Sequence, residues 1–353
     1  MSTKKYLAVA ASALLATTLA ACGGSGSGDD DKTLTVTMWG GGAQKAHVDS
    51  YFKPWAEEAG VTIKQDSPTD YAKVKTQVQS GKVSWGVIEA EPNFTETACE
   101  DGLLEKLPQR VLDAAKKANV DEEQINDCAI PNLQYTFSIA YNTDTFGDDH
   151  PSNWEEFFDT DKFPGKRGFW KYATGGAFEA ALLADGVKPD DLYPLDLDRA
   201  FKKLETIKDD IIWYDTGDEQ VQLVTSGEAP LVQAWNGRIV QAAEEGQPAA
   251  NEYNENFISY DQVAVPKGYD NAELAFDWMV WFLEHPQAQA DDAVASHYGP
   301  ASPDAVKLVP KDKRKELAGN PAVNKKSAAT IDYAYYAKHY DDITERLNNW
   351  IAK

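Results

Sequence analysis

From Thr33 onward, strand-like and helix-like segments alternate, and this alternation constrains the fold more than any other feature of the chain. Leu34-Thr35-Val36-Thr37-Met38-Trp39 has the two-residue period of a strand and stops at Gly40-Gly41-Gly42. Residues 44–59 then carry Val48, Tyr51, Phe52, Trp55 and Ala56 at three- and four-residue spacing, the stripe of a helix that packs on a sheet. Further units at 61–65, 71–79 and the short apolar Val87-Ile88 predict a parallel α/β sheet.

The pattern restarts further along. Residues 133–141 read as a strand, and Asn142-Thr143-Asp144 reads as the turn that leads into a second lobe. Ser152-Asn153-Trp154-Glu155 has the form of a capping box for a helix entering Phe157 and Phe158. A turn over 164–168, a strand from Phe169 and helices over 177–184 and 197–207 follow. Val263-Ala264-Val265, closed by Pro266-Lys267-Gly268, is the expected return strand; 274–283 reads as a buried helix of the first lobe and the tail from Ala328 as helix. The expected organisation is a leader at 1–21, a tether at 22–32, lobe one at 33–140, lobe two at 141–260, and a return to lobe one with C-terminal helices at 261–353.

The leader sets the compartment. Lys4 and Lys5 precede an apolar run over 7–21 that ends in Leu19-Ala20-Ala21-Cys22, the form of a bacterial lipoprotein signal. Cys22 is the expected lipidation site, and the Gly/Ser/Asp stretch at 23–32 is a flexible spacer. An extracytoplasmic protein tied to the bacterial membrane is the expectation. The two remaining cysteines, Cys99 and Cys128, then read as one disulfide, which on the chain-entropy account stabilises the fold by about 3 to 4 kcal/mol.

The formal net charge of −23, or −25 once Lys4 and Lys5 leave with the leader, disfavours nucleic acid and acidic lipid as partners. A cationic or zwitterionic small solute is favoured, although much of that charge serves solubility. No phosphate loop, GxSxG elbow or HExxH motif is present, and the histidines at 47, 150, 285, 297 and 339 stand singly. Neither a metal site nor a cofactor is therefore expected. Carboxylate pairs such as Glu89 with Glu91 and Asp215 with Asp218 keep a lipid-anchored hydrolase as the alternative function.

Several segments resemble the polyamine- and 4-aminobutyrate-type extracellular solute-binding proteins of ABC importers. They are Ala98-Cys99-Glu100-Asp101-Gly102-Leu103-Leu104, Tyr141-Asn142-Thr143, Lys162-Phe163-Pro164-Gly165-Lys166-Arg167-Gly168, and Tyr193-Pro194-Leu195-Asp196-Leu197-Asp198-Arg199-Ala200. Ser226-Gly227-Glu228, Trp235-Asn236-Gly237-Arg238, and Asp261 ahead of Val263 to Gly268 extend the likeness. The resemblance implies a type II periplasmic-binding fold, two α/β lobes joined by a two-strand hinge, working as a monomer that delivers a solute to an ABC permease.

It also implies a site. The acid at the position of Asp261 accepts hydrogen bonds from a ligand amine, and Trp235 is the matching aromatic; a cation over its face gains about 0.5 to 2 kcal/mol. Alternatives are a surface turn acid at Asp261 and a core tryptophan at Trp235. Arg238 suits a ligand carboxylate, with an internal ion pair as the alternative. The acids that polyamine receptors place before the first helix of lobe two are missing from Tyr172-Ala173-Thr174-Gly175-Gly176-Ala177-Phe178, which favours a short ω-amino acid such as 4-aminobutyrate over spermidine; putrescine is the runner-up, with Glu89 or Asp215 as its second carboxylate. Trp39, Gly41, Trp85, Tyr135, Trp213, Tyr214 and Gln222 complete the expected walls, the glycine by letting backbone amides approach a ligand.

Overall fold

In a computed structural model of the chain, residues 32–318 and 321–353 are described. The leader, Cys22 and the tether up to Asp31 lie outside the described residues. Leu34 and Val36 are fully buried, so Thr33–Thr37 (β1) lies inside a trio of strands with Thr62–Asp66 (β2) and Val87–Ala90 (β3), both parallel to it. Ala129–Asn142 (β4) then runs fourteen residues, more than twice the length of an ordinary strand. Beyond it a second parallel trio forms from Arg167–Trp170 (β5), Ile211–Tyr214 (β6) and Leu231–Trp235 (β7). Ala249–Ala264 (β8), sixteen residues, brings the chain back antiparallel to β4.

Among the described residues the strands join in the order β2-β1-β3-β8-β4-β7-β5-β6, with the short Gly299–Pro300 (β9) on β4 and Ser327–Thr330 (β10) on β8. The strands of each lobe are parallel, as expected for the first, and the two crossing strands make the sheet as a whole mixed. A chain that crosses once and returns once must have oppositely directed crossing strands, and these pair without a connecting helix. Each long strand serves both lobes: the end of β8 at Gln262–Ala264 pairs with β3, while Phe137–Tyr141 of β4 pairs with β7. This is the two-strand hinge of a type II binding-protein fold.

Two apolar cores flank the hinge. In lobe one, Leu34, Val36 and Val87 pack against Trp278 and Phe282 of the helix Ala272–Glu284, and Phe52 stacks on Trp278 at 4.2 Å. In lobe two, Phe169 and Trp170 pack with Phe178 and Leu182 of Ala177–Ala184. The disulfide Cys99–Cys128 closes lobe one beside Leu103 and Leu104.

Three local expectations change. The cap before Trp154–Phe157 is Asn153, whose side chain accepts from Glu156 N, because the helix starts one residue later than the Ser152 pattern implies. Strand β5 starts at Arg167 rather than Phe169, since the buried Arg167 spends its guanidinium on the carbonyls of Phe157, Asp159, Phe163 and Gly165 and so fixes the preceding loop. The tail is strand before it is helix: Ser327–Thr330 pairs with Asn256–Ile258 of β8, and the helix runs from Tyr333 to Ile351. That helix lies beside Pro92–Glu100 of lobe one and is anchored on lobe two, with Tyr336, Ile343 and Leu347 in its core, Tyr336 Oη donating to Glu179 at 2.8 Å and Trp350 Nε1 donating to Glu205 at 2.8 Å.

Candidate functional site

The ends of β1, β3, β5 and β7 point toward the seam between the lobes, where an α/β sheet exposes its ligand-facing loops. A cavity lies there. Lobe one contributes Trp39, Gly40, Gln44, His47 and Glu89, lobe two Trp170, Trp235 and Arg238, and the crossing strands Leu133, Tyr135 and Asp261. Trp39 meets Trp170 edge-to-face at 6.0 Å and Tyr172 at 6.3 Å across the seam. The lobes are thus closed on one another, and Lys32–Lys353 form one compact unit.

Asp261 sits on β8 opposite Leu133 of β4 and is 4% exposed. Its Oδ2 accepts from Trp39 Nε1 at 2.8 Å, while Oδ1 has no hydrogen-bond partner. Burial, then the neighbouring Glu89 and Glu91, hold its carboxyl well above the usual carboxylate range despite the indole donor. An acid in that position is short of a cation.

Arg238 opens the helix Asn236–Glu244 directly after β7 and is also 4% exposed. Its Nη2 donates to Gly40 O of lobe one at 2.9 Å and its Nη1 approaches the exposed Asp218 at 3.4 Å, so the arginine makes an internal pair yet keeps Nε without a partner. Trp235 Nε1, buried beside it, is likewise unpartnered. Gly41 does not line the cavity itself. With φ at +64°, it passes so close to Arg238 that a Cβ there would overlap the guanidinium and the Asp218 carboxylate. The glycine makes room for the arginine, where room for a ligand was expected.

Of the expected wall residues, Asp261, Trp235, Arg238, Trp39, Glu89 and Tyr135 come together at the cavity. Four others lie elsewhere. Trp85 is in the lobe-one core with its Nε1 on Asp66 at 2.8 Å. Tyr214 lies one layer behind Trp235, its hydroxyl on Gln233 O at 2.7 Å. Gln222 faces solvent on the helix Gly217–Ser226, and Trp213 packs between Phe169 and Trp350. Asp215, the other proposed second acid, is exposed.

Sequence reasoning missed Gln44, His47, Trp170 and Tyr298. For His47 a signal existed: it continues the buried stripe of Val48, Tyr51 and Phe52, where an imidazole requires partners. Trp170 and Tyr298 carry no comparable mark, since distant pairing brings them to the seam.

A closed seam between two lobes, lined by buried charge of both signs, is the site of a solute-binding protein. Comparison with known proteins agrees: the chain belongs to the family of bacterial extracellular solute-binding proteins, matched over residues 50–323. It is 33% identical over 329 residues to a gamma-aminobutyric acid-binding protein of Pseudomonas aeruginosa, covering 91% of this chain and 92% of that one. It is 24% identical to spermidine/putrescine-binding periplasmic protein 1 of Haemophilus influenzae, covering 91% and 90%. Among solved structures, a GABA receptor superposes with a TM-score of 0.80 at 38% identity, covering 91% of this chain and 98% of that one. The binding protein AgtB of A. tumefaciens R10, solved with agropinic acid, superposes at 0.82 with 32% identity, covering 91% and 99%. These relatives are named for what they bind, and this chain is a solute-binding protein of the ABC-transporter kind.

Proposed function

We propose that this protein captures a short ω-amino acid, with 4-aminobutyrate as the type ligand, between its lobes and presents it to the permease of an ABC importer. One observation carries the reading. Facing the same cavity are an unpartnered buried acceptor, Asp261 Oδ1, and unpartnered buried donors, Arg238 Nε and Trp235 Nε1. A zwitterion satisfies both kinds, its ammonium on the acid and its carboxylate on the donors, through charge-assisted hydrogen bonds. The relatives that bind 4-aminobutyrate support the same choice.

A ligand that touches both lobes stabilises the closed form, the requirement for shifting a hinge equilibrium. The closed surface is then the signal to the permease, and lipidation at Cys22 would keep the receptor, a monomer, beside it. A single acyl chain gives only marginal membrane binding, so more than one is implied.

Glu89 in the cavity gives a second reading, in which putrescine spans Asp261 and Glu89. Calorimetric titration of the purified protein with 4-aminobutyrate, putrescine and spermidine tests both. A dissociation constant for 4-aminobutyrate at least tenfold below that for either polyamine is expected. Failure of every amine to bind or to raise the melting temperature would overturn the proposal.

A further inference from the structure

His47 ends the helix Gly41–His47 where the chain widens into a π-turn over Val48–Phe52, a distortion that often marks function. Its ring is 1% exposed and stacks on Tyr51 at 5.6 Å. Nδ1 lies 2.7 Å from Asp292 Oδ1 and Nε2 lies 3.8 Å from Glu89 Oε1. Asp292 is itself held by Ser296, and Glu89 Oε1 accepts from Asn132 Nδ2 at 2.6 Å.

The charged groups facing this ring come from three packed elements: Asp292 on Pro286–Ser296, Glu89 on β3, and Arg238 on Asn236–Glu244. Burial works against a charged imidazole, but Asp292 and Glu89 outweigh both burial and the opposing Arg238, and the ring titrates above its ordinary value. Glu89 Oε1 therefore lies between the imidazole and a neutral amide. Both contacts fall on that one oxygen, while Asp261 keeps Oδ1 without a partner.

We infer that His47 determines specificity: the imidazole held between Asp292 and Glu89 tempers the negative charge that Glu89 presents to the cavity, so the site favours ligands with one ammonium over diamines. This rests on the amine reading above and deepens it. A diamine entering the cavity would bring a second ammonium to a Glu89 whose Oε1 already faces the imidazole, with Arg238 repelling it nearby.

The test is titration calorimetry with 4-aminobutyrate and putrescine on the wild type, His47→Gln and Asp292→Asn, at pH 6, 7 and 8.5. His47→Gln should shift the affinity ratio toward putrescine by at least tenfold, and Asp292→Asn, which leaves the ring without its anchoring charge, in the same direction. In the wild type the preference should narrow as pH rises and the imidazolium is lost, a change absent from His47→Gln. An unchanged ratio in Asp292→Asn together with a pH-independent wild-type ratio sinks the inference, even if His47→Gln does not fold. Should the wild type bind neither ligand, the amine reading falls and this one with it; should it bind 4-aminobutyrate with an unmoved ratio, only the role of His47 falls.

Discussion

Trp39 of lobe one holds Asp261 of the crossing strand through an indole N–H···Oδ2 hydrogen bond of 2.8 Å, and the other carboxylate oxygen is left bare. The bond orients the acid without satisfying it. It also joins the lobe that carries Trp39 to the strand about which the lobes turn.

Asp261→Asn should separate affinity from stability. Removing the charge should weaken 4-aminobutyrate by at least a hundredfold, since truncating one partner of a buried charge pair costs about 2 to 5 kcal/mol. In the ligand-free protein the same change removes a buried acid whose ionised form lacks a cation, so the melting temperature at pH 7 should hold or rise. Calorimetry and thermal melts on one preparation check both directions.

Arg238→Ala should distinguish ligands by their acid end. 4-Aminobutyrate is expected to lose at least tenfold in affinity, whereas putrescine, with no carboxylate, should change less than threefold. Equal losses for the two would place Arg238 in lobe closure through Gly40 rather than in ligand recognition.

Glu91, capping Pro92–Glu100 from the seam, predicts a pH effect on stability. Burial lifts its carboxyl from 4.5 to about 7, with Thr174 and Tyr71 only partly offsetting the cost. Because the folded-state value is raised, the folded protein binds this proton more tightly than the unfolded chain. Its contribution is most favourable below about pH 4.5 and is lost as pH rises to about 7. Above that, ionised Glu91 costs at most about 3 kcal/mol. Glu91→Gln should therefore raise the melting temperature at pH 8 and leave it nearly unchanged at pH 4.5, as read by scanning calorimetry.

Reduction of Cys99–Cys128, or its replacement by serines, should lower stability by about 3 to 4 kcal/mol, the value for a loop of 29 residues. The bond lies in the lobe-one core away from the cavity, so the affinity for 4-aminobutyrate should change less than twofold. Denaturant melts with and without reductant, paired with titrations, measure both.

Apolar helices were legible in the sequence, as with Ala177–Ala184, buried on every side, whose bounds match the expected span. So were the short apolar strands β1 and β3, where local pattern and burial agree. Strand β10 was not, because Ser327-Ala328-Ala329-Thr330 has no strand signature and is extended only through pairing with β8. In the site, residues at a strand end were readable: Trp235 ends β7, and Trp39 and Arg238 follow β1 and β7. Trp85 misled because an indole is as useful in a core as in a cavity, and Gln222 because nothing local fixes which face of its helix turns outward. Tyr298 reaches the cavity through β9 pairing with β4 over a separation no local pattern records.

The docking of the last helix on lobe two has a practical consequence. Strand β1 lies in one half of the molecule, and the last helix is held at its end to the other by Tyr336, Trp350 and the lobe-two core. Fluorophores attached near Thr33 and Lys353 would ride on opposite halves, so their energy transfer would report opening and shutting in real time, with no label near the solute.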